Sequence, residues 1–388
     1  MKPDATTPLV IATMLREEGI TGVHTHVKQF RRYLEEEGTA ATLVTPFSWR
    51  RSFTYPVFGI RRVLERCSRA AGVMWYRHWH EVFLRNALRR QLAGLGDCVI
   101  YAQGPPDARA ALRARRGPHQ RVVLAVHFRT SQADEWADKN EIARDGLVFR
   151  AIRKVEREVL PRVDRLVYVS KWGQEAVASW LPEAAAVPST VIGNFVAPAR
   201  GAGRENLGDL VTVGNFDLVK NHRFMLRVLA EARRAGHDLT LDIFGDGPCR
   251  KDLLQLTGSL GLTGQVRFRG FRPDVRDFLP GYRAYVHASY SESLPLAIIE
   301  AMAAGLPVVT ADVGGIRELC DDGVEARFWS LDDPARAAAT LIELLADEPV
   351  RLKAARAASE RFRRDFDASV VGPRLRSFLL ETPSNRAG

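Results

Sequence analysis

Short apolar, β-branched runs alternate with amphipathic helical stretches along almost the whole chain, and the pattern occurs twice. Runs at residues 9–14, 41–45, 98–101, 122–126, 166–169 and 190–192 read as strands, with helical patterns between them such as residues 25–37 and 149–160. Residues 197–208 (APARGAGRENLG) have the composition of a linker, and beyond them the alternation restarts. Strands are expected there at 210–213, 239–244, 266–269, 284–287 and 308–310, and helices at 223–234, 250–260, 296–304 and 334–345. Strand–helix–strand units of this kind close as parallel pairs joined by crossover helices. The fold class is therefore α/β, with two doubly wound, Rossmann-like domains facing across a cleft. Ligands are expected outside the carboxyl ends of the strands. The expected domains are residues 1–195, with an insertion at 56–95, and residues 209–350. A helical tail at 351–388 is expected to pack back toward the N-terminal domain.

Composition excludes several classes. Of the 388 residues, 46% are apolar and 26% charged, enough apolar material for two cores, so a disordered chain is excluded. No apolar run reaches the length of about 18 residues that a spanning helix needs, which excludes a polytopic membrane protein. The opening MKPDATTPLVIATM reads as a lead into a first strand rather than as a secretory signal. Cys67, Cys98, Cys249 and Cys320 show neither C-x-x-C spacing nor a histidine at ligand spacing. Neither a zinc site nor a disulfide framework is expected, and the compartment is read as reducing, hence cytoplasmic.

Charge is distributed unevenly. Residues 1–195 carry 30 Lys+Arg against 20 Asp+Glu, and the rest of the chain carries 26 of each. The whole net charge of +10 therefore sits in the first half, which points to an anionic partner there. No nucleic-acid module is recognisable, so nucleic acid is set aside.

The strongest local signal is SESLPLAIIEAMAAGLPVV at residues 291–309. Pro295 suits a first helical position, which sets Glu292 just ahead of a helix and Glu300 about one and a half turns inside it. Free N–H groups at that helix start, Leu296 included, suit a phosphate, and the two carboxylates suit hydroxyls. Spacing alone leaves open an amphipathic helix with two solvated glutamates. Around this segment lie a V-G-N-F-D-L-V-K-N stretch at 213–221, an I-F-G-D-G-P turn at 243–248 containing Gly245, and a D-V-G-G-I-R-E stretch at 312–318. In the first half, G-I-T-G-V-H at 19–24 follows the first strand and opens a helix, and His127 ends the strand at 122–126.

These ordered motifs resemble glycosyltransferase family 4, retaining enzymes of the GT-B fold. Glu292 and Glu300 match its E-x7-E motif. The resemblance is dense over residues 191–345 and looser before them. It implies that Glu292 contacts the donor sugar beside the reacting carbon and that Glu300 binds the ribose hydroxyls. Lys220 is implied to pair with the diphosphate and His127 to touch the donor sugar. Gly22 is implied to let backbone pass close to substrate, and Leu296 and Gly245 to complete the donor site. Asn215 stands where the family usually has an arginine, a departure for which Arg223 is one candidate replacement. The reaction implied is metal-independent transfer of a sugar from a nucleotide-sugar to a glycan or lipid-linked acceptor, with no further cofactor. Surface polysaccharide or glycolipid synthesis is the expected setting. The lone D-x-D, Asp365 to Asp367, is read as a helix face and not as a metal site. A GT-B epimerase or phosphorylase, or a degenerate GT-B protein acting as a non-catalytic partner, remains the alternative.

The insertion at 56–95 has apolar residues at helical spacing, arginines between them, and Trp75, Tyr76 and Trp79 in the middle. Gly72 is expected to break it into two helices. One reading places it on an anionic membrane surface, making the enzyme peripheral on the inner face of the cytoplasmic membrane. The other is a helix pair that covers the first sheet with an ordinary charged outer face.

Overall fold

A computed structural model describes residues 7–17, 19, 21–49, 51–199 and 206–381. Ile20 of the glycine loop, residues 200–205 of the expected linker and residues 382–388 of the tail lie outside that range. The chain forms two compact units. One holds residues up to Gly193 together with those from Val371 onward, and the other holds Asn194–Val370.

The first unit is built from β1 (Leu9–Ala12), α1 (Gly22–Glu36), β2 (Ala41–Val44), α2 (Arg51–Cys67), α3 (Arg69–Leu92), β3 (Cys98–Ala102), α4 (Pro105–Ala114), β4 (Gln120–Val126), α5 (Gln132–Asp138), α6 (Leu147–Val159), β5 (Arg165–Tyr168), α7 (Lys171–Trp180) and β6 (Ser189–Val191). Its six strands are parallel in the order β2-β1-β3-β4-β5-β6. The chain turns back on itself between β1 and β3, which makes the carboxyl ends of those strands the switch point of the sheet.

The second unit holds β7 (Gly208–Val213), α8 (His222–Arg234), β8 (Leu241–Phe244), α9 (Arg250–Ser259), β9 (Val266–Gly270), β10 (Tyr282–His287), α10 (Leu296–Ala303), β11 (Val308–Ala311), β12 (Ala326–Trp329), α11 (Pro334–Ala346) and α12 (Glu348–Asp365). Its parallel order is β12-β11-β10-β7-β8-β9, with the switch point between β7 and β10. The last helix, α13 (Ala368–Leu380), begins in this unit and continues in the first. There Gly372 meets the Tyr33 ring, Arg376 Nε donates to Thr39 Oγ1 at 3.0 Å, and Arg165 Nη1 donates to the Phe378 carbonyl at 2.6 Å. All eleven strands expected from sequence form, each starting and ending within two residues of its expected limits. β12 was not expected: ARFW is only four residues long and carries an arginine, and it becomes a strand by pairing in register with β11.

The region at 56–95 is corrected in three ways. It is not an insertion but the obligatory crossover between β2 and β3, because those strands are parallel members of one sheet. Leu84, Ala87, Leu88 and Leu92 of α3 enter the core with β1, β3 and β4. The helix break is at Ser68, whose hydroxyl caps α3 by accepting from the Ala71 N–H, and not at Gly72. Gly72 is where α2 and α3 approach: a Cβ there would lie 2.4 Å from Glu65 Cγ. Finally, Trp75, Tyr76 and Trp79 do not face outward. Trp75 Nε1 donates to the Val57 carbonyl at 2.8 Å, Trp79 packs on Trp75 and Phe83, and Tyr76 packs on the core. The large apolar residues turned outward are Phe53, Tyr55, Ile60 and Val63 of α2, at 56%, 53%, 44% and 61% exposure, and Met74 of α3, at 40%.

Truncating α3 at the sheet tests this assignment. Leu84→Ala is expected to destabilise the protein by about 2–5 kcal/mol in a denaturant titration, whereas Ile60→Ser on α2 stays within about 0.5 kcal/mol.

Candidate active site

The second unit gathers its polar residues at the carboxyl ends of β7 and β10, on both sides of the switch point. β10 ends at His287, and the loop after it carries Ser289 and Glu292 into the start of α10. β7 is followed by a turn, residues 214–221, that delivers Lys220. Asp217 braces this turn by accepting from the Lys220 N–H at 3.1 Å, and the Tyr290 N–H donates to the Val219 carbonyl at 2.9 Å. Asn221 closes the turn in the left-handed region, φ 49°, a conformation asparagine tolerates better than most residues.

Glu292 is the centre of the network. Lys220 Nζ donates to its Oε1 at 2.6 Å, and His287 Nε2 donates to the same oxygen at 3.0 Å. A carboxylate only accepts, so the imidazole proton sits on Nε2, where Ser289 Oγ is also 2.9 Å away. Burial acts to raise the Glu292 carboxyl, but Lys220 and then His287 outweigh it and hold it well below the ordinary carboxylate range. His287 itself is lowered by burial, with Glu292 partly opposing. His222, packed edge-on against Phe216, is held down to about 3 by burial and by the cations nearby.

Glu300 is a contrasting carboxylate. It sits half-buried in α10 and makes no hydrogen bond or ion pair with any described residue. Burial pushes it up to about 7, with Arg276 pulling the other way. Two glutamates eight residues apart thus differ in kind: one is ionised and committed within the protein, the other is open to an outside partner. Pro295 is the residue before α10, not its first, because its extended backbone leaves Leu296 to start the helix. The Leu296 and Ala297 N–H groups have no acceptor among the described residues, and no side chain caps them.

Glycines set the backbone around the network. Gly314 has φ +58°, and a Cβ on it would lie 2.0 Å from the Glu292 carbonyl oxygen, while the Gly315 N–H donates to that oxygen at 3.1 Å. The glycine pair is therefore a brace for Glu292. Gly245 has φ +146°, and its Cβ would lie 1.9 Å from the Gly214 carbonyl, so the turns after β7 and β8 nest only because that side chain is absent. Asn215 is half-buried in the first of these turns, with no side-chain hydrogen bond to a described residue. Arg223 is exposed on the first turn of α8 and forms no ion pair with one.

In the first unit, His127 follows β4 and its Nε2 donates to Gln103 Oε1, 3.0 Å away, just past the end of β3. Burial and the neighbouring His26 ring, 4.7 Å away edge-on, keep it neutral. His26 is buried, and its Nε2 is 3.1 Å from the Tyr101 hydroxyl. Gly22 is the exposed first residue of α1. Asp107 holds the start of the preceding loop by accepting from the Met14 N–H at 2.8 Å. Asp134 and Asp138 are tied up by Arg129, Arg144 and Arg153, which pair with them. Asp365 pairs with Arg361 and Arg364, and Asp367 accepts from the Ser369 hydroxyl. Sequence reasoning missed His287 and Ser289, although the rule that selected His127, a histidine at the tip of a parallel strand, applies equally to His287.

Comparison with known proteins identifies the family. Residues 208–347 match the family model for glycosyl transferases group 1, and residues 20–200 match that for glycosyltransferase family 4. The chain belongs to glycosyltransferase family 4. It is similar to the phosphatidyl-myo-inositol mannosyltransferase of Mycobacterium leprae, at 25% identity over 91% of each chain. It is 29% identical to the lipopolysaccharide core biosynthesis glycosyltransferase LpsE of Rhizobium meliloti over 45% of this chain and 50% of that one, so it spans about half the length of that relative. Among solved structures, HepE of Anabaena with UDP and glucose superposes with a TM-score of 0.67 at 16% identity, over 97% of this chain and 100% of that one. That likeness carries the fold, GT-B.

Two measurements follow from this site. Gly314→Ala forces a positive φ on alanine and displaces the Glu292 carbonyl; an unfolding titration should show a loss of at least about 1 kcal/mol. Glu300 gives a pH signature in the ligand-free protein. Its folded carboxyl lies near 7 and its unfolded value near 4.5, so the native state keeps a proton that the unfolded chain has lost between them. Stability therefore falls as pH rises through that window, by on the order of 1–2 kcal/mol after allowance for solvent screening. Denaturant midpoints at the two ends of the window should show this decline shrink in Glu300→Gln.

Proposed function

We propose that the protein is a retaining glycosyltransferase that moves a sugar from a nucleotide-sugar to a glycan or lipid-linked acceptor in surface polysaccharide or glycolipid synthesis. The observation that carries this reading is the pairing of unlike carboxylates at the β7/β10 switch point. Glu300 accepts hydrogen bonds from the ribose hydroxyls, a role that suits a carboxylate with no partner of its own. The free N–H groups of Leu296 and Ala297 take a diphosphate oxygen, since a helix start favours negative charge. Lys220 stands beside them; when a diphosphate arrives, its ammonium is shared between Glu292 and the phosphate and offsets charge developing on the leaving group. Glu292, held ionised by Lys220 and His287, accepts from the donor sugar hydroxyls beside the reacting carbon. The Glu292 carboxylate is already fixed before substrate binds, so little reorganisation is left for the reaction itself.

His127 touches the donor sugar from the first unit, with its proton directed by Gln103, and Gly22 leaves the α1 start open to substrate. Asn215 and Gly245 line the turn that receives the diphosphate. No side chain is assigned as the base: departure and attack take place on one face of the sugar, and a diphosphate oxygen takes the acceptor proton. UDP is the nucleotide to test first, because HepE is solved with it.

The acceptor is reached at a membrane. Phe53, Ile60 and Val63 recur at helical spacing on the outer side of α2, with exposed Arg66 and Arg69 at its end. An exposed apolar stripe beside cations suits the headgroup boundary of an anionic bilayer. Among the described residues no helix is long and apolar enough to cross a membrane, so the association is peripheral.

Purified protein is offered UDP-, GDP- and ADP-linked sugars with EDTA present. One donor is expected to turn over, with kcat reduced about a hundredfold or more in Glu292→Gln and in Lys220→Ala. Turnover unchanged in Glu292→Gln rejects the assignment. Flotation with anionic vesicles at low salt should be lost in the Phe53→Ser, Ile60→Ser, Val63→Ser triple variant; retention would remove α2 as the membrane contact.

A further inference from the structure

Part of the surplus positive charge of the first half is concentrated on α6. This helix lines an open cavity of about 750 Å³, completed by α5, the segment at 139–146 and the end of α7. Five cations and two carboxylates line it. The floor is internally committed. Asp134 accepts from the hydroxyls of Thr130 and Ser131 and pairs with Arg144 at 2.9 Å and Arg153 at 2.8 Å. The Arg153 guanidinium lies over the Trp180 ring, 3.9 Å from its centroid, and its Nη1 is sealed from solvent without an acceptor.

The rim is not committed. The side chains of Arg150, Lys154 and Arg157 are exposed and have no ion pair or hydrogen bond with any described residue. They recur along one face of the helix, about 6 Å and then about 4.5 Å apart along its axis. Like charges at such spacing repel, and Asp145 is the only other acid lining the cavity. A second cavity on the other side of α6 provides the contrast. It too is lined by arginines, but Arg109 and Arg113 pair with Glu81, Arg115 with Asp164, and Arg162 with Glu158. Arginines are abundant in this chain; unneutralised cations converging on one cavity are the distinguishing feature.

We propose that the α6 cavity binds a polyanion bearing two or more phosphates through Arg150, Lys154 and Arg157. The guanidinium forks grip phosphate oxygens bidentately and Lys154 adds a point charge between them. An anion at the rim also offers an acceptor to the unmet Nη1 of Arg153 after a small shift of its neighbours. The site lies within the first unit, while the Glu292 network lies in the second, so this inference does not rest on the donor reading.

Inorganic tripolyphosphate titrated calorimetrically into the full-length Lys220→Ala protein tests it, because that background removes the cation of the donor site and so weakens phosphate binding there. One saturable event is expected at low salt, weakening as salt rises. On the same background, Arg150→Ser, Lys154→Ser, Arg157→Ser together should lose about tenfold or more in affinity, while Arg150→Lys with Arg157→Lys, which keeps the charge but not the bidentate fork, should bind at an intermediate affinity. The substituted side chains are exposed, so the fold is expected to persist, and a circular dichroism melt checks it. Equal affinity in the triple serine variant, or no saturable binding at low salt, overturns the proposal. Flotation with phosphatidylglycerol vesicles separates the sources. Loss in the triple serine variant assigns a lipid headgroup; unchanged flotation together with lost tripolyphosphate binding assigns a soluble phosphate compound.

Discussion

Every pairing between the described strands is parallel, and the rest of the molecule follows from that constraint. Parallel neighbours cannot be joined by a hairpin, so each connection must cross over the sheet and bury a helix on its face. This is why strands inside the sheets such as β1, β3, β4 and β10 are buried almost throughout while β2, β6 and β9 at the edges are not, and why a long basic segment such as α2–α3 is pulled into the core at its carboxyl end while its beginning stays outside. It also leaves two places where the strand order reverses. Loops leaving neighbouring strands in opposite directions open a crevice there, and only at such a point can residues far apart in sequence converge without disturbing the sheet.

The second switch point shows what that convergence produces. Lys220 and Glu292 are 72 residues apart and meet at 2.6 Å because β7 and β10 are adjacent. A buried carboxylate without partners would take up a proton; with an ammonium and an imidazole N–H on one oxygen it stays ionised. Glu300, on the same helix-and-loop segment, lacks such partners and drifts upward. The difference in environment, rather than in residue type, separates a fixed carboxylate from an available one. The glycines serve the same end, since Gly314 and Gly245 let backbone approach backbone at distances no side chain permits.

Much of this was legible in the sequence. The strand–helix alternation located most of the strands, because periodicity of burial is a local property. The E-x7-E segment, the FGDGP turn and the glycine pair pointed to Glu292, Glu300, Lys220 and Gly245 by resemblance, and the second unit brings all four to the carboxyl side of one sheet. Less was legible where a residue's role depends on a distant partner. Nothing in the segment around His26 marks it as buried; Tyr101 and His127 arrive from β3 and the end of β4 to cover it. Trp75 and Trp79 looked like membrane-facing aromatics, but α2 folds back over them. The acids after His127 likewise find their partners, Arg144 and Arg153, only in the folded structure.

Sequence alone determined the alternating pattern, hence the α/β class with parallel sheets, the excess of positive charge in the first half, and the family. These are properties of local order and composition, which survive without knowledge of contacts. Tertiary structure alone decided that β12 is a strand, that residues 56–95 form a crossover, that His287 joins Glu292, and that Arg150, Lys154 and Arg157 remain unpaired while nearby arginines do not. Each of those facts depends on which groups lie within a few ångströms across long sequence separations. Hydrogen bonding and desolvation act over that range, and the order of residues does not encode it in any short window.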